Sequence, residues 1–192
     1  VQNWINETTT RAGFSIDKKS VVLINEHLGN SLSKIYNELD KLFEIKKKEK
    51  SIELSDIEKY IGISKEFNNF ELRKALGEKK YNKAFQIVQY FSENPRSNPL
   101  VVTVSTIFDF FNKLLLFHSN SSLSDSKIAS ILGVNPYFIN EYKTASSNYN
   151  LKQVVSIISL IRDYDMFSKG VGIKKSDSFL LKEMVLRIIK IN

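Results

Sequence analysis

Only seven glycines and three prolines punctuate the 192 residues of this chain, and between them apolar side chains recur at i, i+3, i+4 and i+7 almost without a break. A chain so poor in breakers has room for helices and little room for strands. The fold class expected is therefore all-α. "WINETTTRAG" reads as a helix ending at Gly13. "SIDKKSVVLINEHLG" offers Asp17 as cap, a stripe at Val21, Val22, Ile24 and Leu28, and Gly29 as stop. "NSLSKIYNELDKLFEI" puts Leu32, Ile35, Leu39, Leu42 and Phe43 on one face behind a Ser31 cap. The lysine run Lys46 to Lys50 reads as a solvated helix end, and "SIELSDIEKYIG" as a short helix, Ser55 to Ile61, stopped by Gly62.

A boundary is expected between Gly62 and Asn69, dividing the chain into a helical domain over residues 1–62 and a second over 63–192. Several helical segments follow, with Asn98, Ser124, Asn135 and Asn150 as caps. In residues 99–118, Val101, Val104, Ile107, Phe108, Phe110, Phe111, Leu114, Leu115 and Phe117 spread around most of the helix. That distribution predicts the buried central helix of a bundle.

Charge separates the two parts. Residues 1–62 hold 10 Lys/Arg against 10 Asp/Glu, so the net +7 comes wholly from residues 63–192. Such an excess permits nucleic acid or an acidic partner without requiring either. No cysteine is present and only His27 and His118 represent histidine, so no metal site and no cofactor are expected. "LVVTVSTIFDFFNKLLLF" is interrupted by Thr103, Asp109, Asn112 and Lys113, and no membrane helix is expected from it. With Trp4 and Asn6 so early there is no signal-peptide pattern, and the expected location is cytoplasmic.

The motifs with catalytic overtones are weak. "GVGIKKS", Gly170 to Ser176, has the lysine and hydroxyl of a phosphate loop, but Lys174 stands where a second glycine is needed, and a helix rather than a strand leads into it. It reads as a turn. Both histidines sit near helix ends, where a structural role is expected. Asp163 and Asp165, like Glu38 and Asp40, are two residues apart and diverge on a helix. No enzyme is expected in this chain. "LSDSKIASILGVNPYFINEYKTAS" has the layout of a helix-turn-helix: Ser124 as cap, Ala129 at the close approach, Gly133 at the turn, Val134 and Ile139 inward, and a second helix from Pro136. As a DNA binder, residues 124–147 would read bases with Tyr137, Asn140 and Lys143.

In order along the chain, "LSKIYNELDKL", "IGISKEFNNFELRKAL", "KAFQIVQYF", "FFNKLLLF", "SKIASILGVNPYFI" and "IRDYDMFSKG" together resemble the delta-subunit family of bacterial DNA polymerase III clamp loaders. The resemblance implies that residues 1–62 are the helical lid of an AAA+ module and 63–192 the helical collar. It also implies that the RecA-like head, with its sheet and clamp-touching element, is absent. In hydrolysing relatives the lid helix carries a sensor arginine, and that position falls here on Ser33, which cannot neutralise a triphosphate. The role implied is that of the subunit that opens the sliding clamp without hydrolysing ATP. Its partners would be the loader ATPase subunits and a delta-prime-like subunit, the clamp through the missing head, and DNA through the assembled loader. Collar docking would use exposed aromatic side chains, with Phe110, Phe117, Tyr137 and Tyr142 as candidates.

Overall fold

The structure, a computed structural model, describes residues 1–64, 66–172 and 174–191, and for Glu26 the backbone only. It is built of helices, with one two-residue strand pair among the described residues. It separates into two compact units, Val1–Phe70 and Glu71–Asn192.

The first unit contains α1 (Gln2–Arg11), α2 (Lys18–Leu28) and α3 (Leu32–Ile45), then a single α-turn, α4 (Leu54–Asp56), that runs into a π-turn over Ile57–Ile61. Asp17 caps α2 by accepting from the N–H groups of Lys19 at 2.9 Å and Ser20 at 3.0 Å. Ile35, Leu39 and Leu42 of α3 are fully buried at one face, where they meet Ile5, Leu23, Ile24, Ile52 and Ile57. Ser31 stands at the N-cap of α3, yet its hydroxyl lies against the Ser33 hydroxyl at 3.4 Å and makes no cap. The strand pair was not expected. β1 (Ser15–Ile16) and β2 (Ser51–Ile52) run parallel, Ser15 opposite Ser51, and Ser15 donates its N–H to the Lys50 carbonyl at 2.9 Å. This clasp joins segments 35 residues apart and brings the α4 region onto the α1–α3 core. Behind it, Lys46 forms an ion pair with Asp56 at 3.0 Å, and Asp56 also accepts from the Glu53 N–H at 2.9 Å. The bond to Asp56 raises the Lys46 pKa.

The second unit is formed by α5 (Asn69–Gly77, of which Glu71 onward belongs here), α6 (Tyr81–Glu93), α7 (Leu100–Ser119), α8 (Asp125–Leu132), a 3-10 turn at Pro136–Phe138, α9 (Ile139–Asn148), α10 (Leu151–Ser168) and α11 (Asp177–Lys190). α7 packs along α10 and also touches α8, α9 and α11, while α11 packs on α6. Its buried residues, Leu100, Thr103, Val104, Ile107, Phe110, Phe111, Leu114 and Phe117, follow the helical repeat. Asn135 and Asn150 cap as the sequence predicts, the latter in a reciprocal box with Gln153. Ser124 occupies its cap position without a side-chain bond, and Asn98 instead donates to the Asn94 carbonyl, leaving Pro99 at the start of α7.

By length and mean hydropathy (1.7), Leu100–Ser119 could cross a bilayer, so its polar interruptions do not by themselves exclude that; 44% of this apolar stretch is buried inside the unit. The expectation of a buried central helix is corrected in part here: Val101 and Phe108, counted toward it, are exposed, as are Val102 and Leu116. A globular unit of this size covers one side of a helix, and α7 has apolar residues on more sides than its neighbours cover.

Two buried phenols set an alkaline limit. Burial raises the pKa of Tyr149, whose hydroxyl donates to the Leu76 carbonyl at 2.8 Å, and burial together with nearby Glu183 pushes Tyr164 up to about 12. Both phenols stay protonated in the fold after an unfolded tyrosine, with a pKa of about 10, has ionised. Stability from this source is complete below pH ~10 and falls as pH rises toward the folded values. Tyr164→Phe should flatten the loss of stability between about pH 10 and 12 in denaturant titrations; an unchanged slope would remove Tyr164 from this account.

Candidate functional site

Ser33 lies exposed in the first turn of α3, and its hydroxyl is 3.4 Å from that of Ser31. A hydroxyl there has neither the reach nor the charge of a guanidinium. The "GVGIKKS" segment closes α10 and opens α11. Gly170 is left-handed (φ 80°), the N–H of Val171 returns to the Met166 carbonyl at 3.0 Å, and the Ser176 hydroxyl accepts from the Phe179 N–H at 3.3 Å. The lysine head of Lys175 rests 3.9 Å from the Phe179 ring centroid. Ile173 lies outside the described residues. Ser176 is thus engaged as a helix cap. A cavity of about 10 Å³ between Phe91, Leu100, Asp177 and Leu181 has room for one water molecule. Among the described residues no three His, Cys, Asp or Glu side chains converge as a metal site would require. His27 has a lowered pKa from burial, which opposes the cationic form expected at a helix end, and His118 Nε2 lies 2.9 Å from the Tyr149 carbonyl as a tie between α7 and the α10 entry.

The four aromatic candidates for docking separate sharply. Tyr137 is 54% exposed, its ring edge-on to Phe138. Phe110, Phe117 and Tyr142 are buried within the second unit, with Phe110 packed 5.3 Å from Phe111 and 5.4 Å from Tyr142 between centroids. Their rings are consumed by the unit's own core, so they cannot be offered to another chain in this conformation. The exposed apolar residues that sequence reasoning passed over are Phe108, Val101 and Leu116 of α7, with Leu151 and Val155 on the outside of α10. The signal was available: a 20-residue helix apolar on most sides exceeds what one small bundle can cover.

The α8–turn–α9 arrangement has the shape expected of a helix-turn-helix, with changes in detail. Gly133 is left-handed (φ 63°), Ala129 and Ile139 are buried, and a 3-10 turn precedes an α9 that begins at Ile139 rather than Pro136. Asn140 and Lys143 are exposed, but the Lys143 ammonium is paired with Asp125 of α8 at 2.7 Å. Residues 124–147 carry Lys127 and Lys143 against Asp125 and Glu141, so the segment has no net charge. A groove-reading element normally brings net positive charge to the phosphates.

With these placements fixed, comparison with solved structures gives a clear match: the Bacillus subtilis DNA clamp loader delta protein (YqeN) covers 98% of this chain with a TM-score of 0.64 at 20% sequence identity. This chain has the fold of a clamp-loader protein. It spans 55% of that protein's length. No family model and no curated protein matches the chain.

Proposed function

We propose that this chain is the lid and collar portion of a clamp-loader subunit of the delta type, serving assembly of the loader rather than catalysis. The observation that carries the reading is the shared fold over 98% of the chain. Two features of the chain support the finer assignment. The lid helix bears Ser33 where a hydrolysing subunit would place an arginine, so the subunit senses no triphosphate. The second unit exposes more apolar side chain on α7 than a free-standing bundle has reason to retain, including Phe108, Val101 and Leu116, and obligate subunit contacts are built from such surface. In this reading collar docking to ATPase subunits fixes the subunit in the ring, and the lid carries the head that holds the clamp open.

A reconstituted loading reaction tests it. Omitting the full-length protein should abolish deposition of the sliding clamp on primed circular DNA, and adding it back should restore deposition. Undiminished loading without it would refute the assignment. The helix-turn-helix reading would instead require sequence-specific duplex binding lost in Asn140→Ala, and the segment's lack of net positive charge argues against that outcome.

A further inference from the structure

The two sides of α11 differ sharply. Leu180, Leu181, Met184, Val185 and Ile188 turn into the bundle and are buried. On the opposite side Phe179, Lys182, Leu186 and Lys190 follow one another at i, i+3, i+7 and i+11, which places them in a single stripe along the helix. Phe179 is 45% and Leu186 40% exposed, and both lysines stand in solvent.

The carboxylates of α11 are engaged away from this stripe. Asp177 lines the small cavity beside Phe91 and Leu181. Glu183 pairs with Arg187 at 2.9 Å, on the flank where the Arg187 guanidinium lies 6.0 Å from the ring centroid of Tyr164 in α10. Among the described residues Lys182 and Lys190 pair with no carboxylate. Lys175 adds a third ammonium at the head of the stripe, 3.9 Å from the Phe179 ring centroid. Cations and exposed carbon thus alternate in the order Lys175, Phe179, Lys182, Leu186, Lys190, with no unpaired acid among them.

We propose that this face of α11 is a docking site for an acidic amphipathic helix of a partner protein, whose leucine-type side chains cover Phe179 and Leu186 while its carboxylates meet Lys175, Lys182 and Lys190. Charge complementarity selects the acid, and the exposed carbon selects the helix. A phosphate backbone would neutralise the ammonium groups but leave Phe179 and Leu186 wet, and Lys175 already covers one face of the ring on which a base would stack. A lipid surface needs a continuous apolar face, and on α11 that face is spent on the bundle core. A helix that alternates leucine with glutamate answers both features at once, apolar contacts at the centre and charge pairs around them. The site lies on a different helix from the proposed docking residues of α7 and does not rest on the clamp-loader assignment.

The test is fluorescence anisotropy of the full-length protein with a labelled helical peptide in which leucine at i, i+3 and i+7 is flanked by glutamate. The parent protein should bind it saturably. Leu186→Asn should weaken binding by at least about fivefold, as expected of a central contact. Lys182→Glu with Lys190→Glu should abolish binding and create binding to the same peptide with lysine in place of each glutamate. All three positions are exposed, so the thermal midpoint should not move. No saturable binding by the parent, unaltered affinity in Leu186→Asn, or a charge-reversed protein that ignores the charge-reversed peptide overturns the proposal. So does displacement of the peptide by a single-stranded oligonucleotide of equal charge, or by phosphatidylglycerol vesicles, as effective as that by unlabelled peptide, which would assign the face to phosphate. Phe108→Glu on α7 should bind the peptide as the parent does, so this reading and the loader-assembly reading fail separately.

Discussion

Phe110→Ala should destabilise the second unit by about 3–5 kcal/mol, the range for deleting a fully buried aromatic ring. The ring is surrounded on every side that the structure describes. Phe111 lies edge-on to it, Tyr142 lies at a tilt, and the backbone of Gly77 approaches so closely that a Cβ there would stand 2.9 Å from Phe110 Cζ. Gly77 in turn accepts the Asn148 amide. Collapse into the vacated space would have to move α5, α7 and α9 together, which keeps the cost at the upper end of cavity-forming substitutions. Gly77→Ala crowds the same ring and should cost about 1–3 kcal/mol alone but less in the Phe110→Ala background, since the cavity receives the new methyl. Denaturant unfolding reads both. A loss below about 1 kcal/mol for Phe110→Ala would mean that the ring is not in a closed core.

The second large effect is electrostatic. Arg73 of α5 is buried, and its guanidinium lies 3.9 Å from the Glu141 carboxylate of α9, with only 10% and 16% of the two side chains exposed. Glu141→Leu removes that carboxylate and leaves a cation in a poorly solvated place. The expected loss is about 3 kcal/mol, toward the low end for breaking a buried pair because both groups keep some contact with water. Replacing both, Arg73→Leu with Glu141→Leu, removes the buried cation as well and should recover most of the loss. A double variant no more stable than Glu141→Leu would show that the arginine does not depend on this carboxylate.

Much of the architecture was legible because it depends on local rules. The i, i+4, i+7 placement of Ile35, Leu39 and Leu42 buries one face of α3 without any knowledge of the rest. Gly62 and Gly133 both take the left-handed conformation that ends a helix. What depends on distant partners was hidden. The β1–β2 clasp pairs residues 36 positions apart in two-residue strands, too short to leave an alternating pattern. On α7, Phe108 and Phe110 flank Asp109, and the placement of α9 and α10 decides that the first faces solvent and the second the core. The same limit governed the candidate site. Lys143 reads in the sequence as a base-contacting residue, and folding puts its ammonium against Asp125 of α8 instead.

Native mass spectrometry of the full-length protein mixed with loader ATPase subunits and a delta-prime-type subunit tests the central claim most directly. The account predicts one copy of this protein in a closed five-subunit assembly, and loss of that assembly when α7's exposed Phe108 is replaced in Phe108→Glu. Persistence of a free monomer beside a complete loader that excludes it would contradict the account.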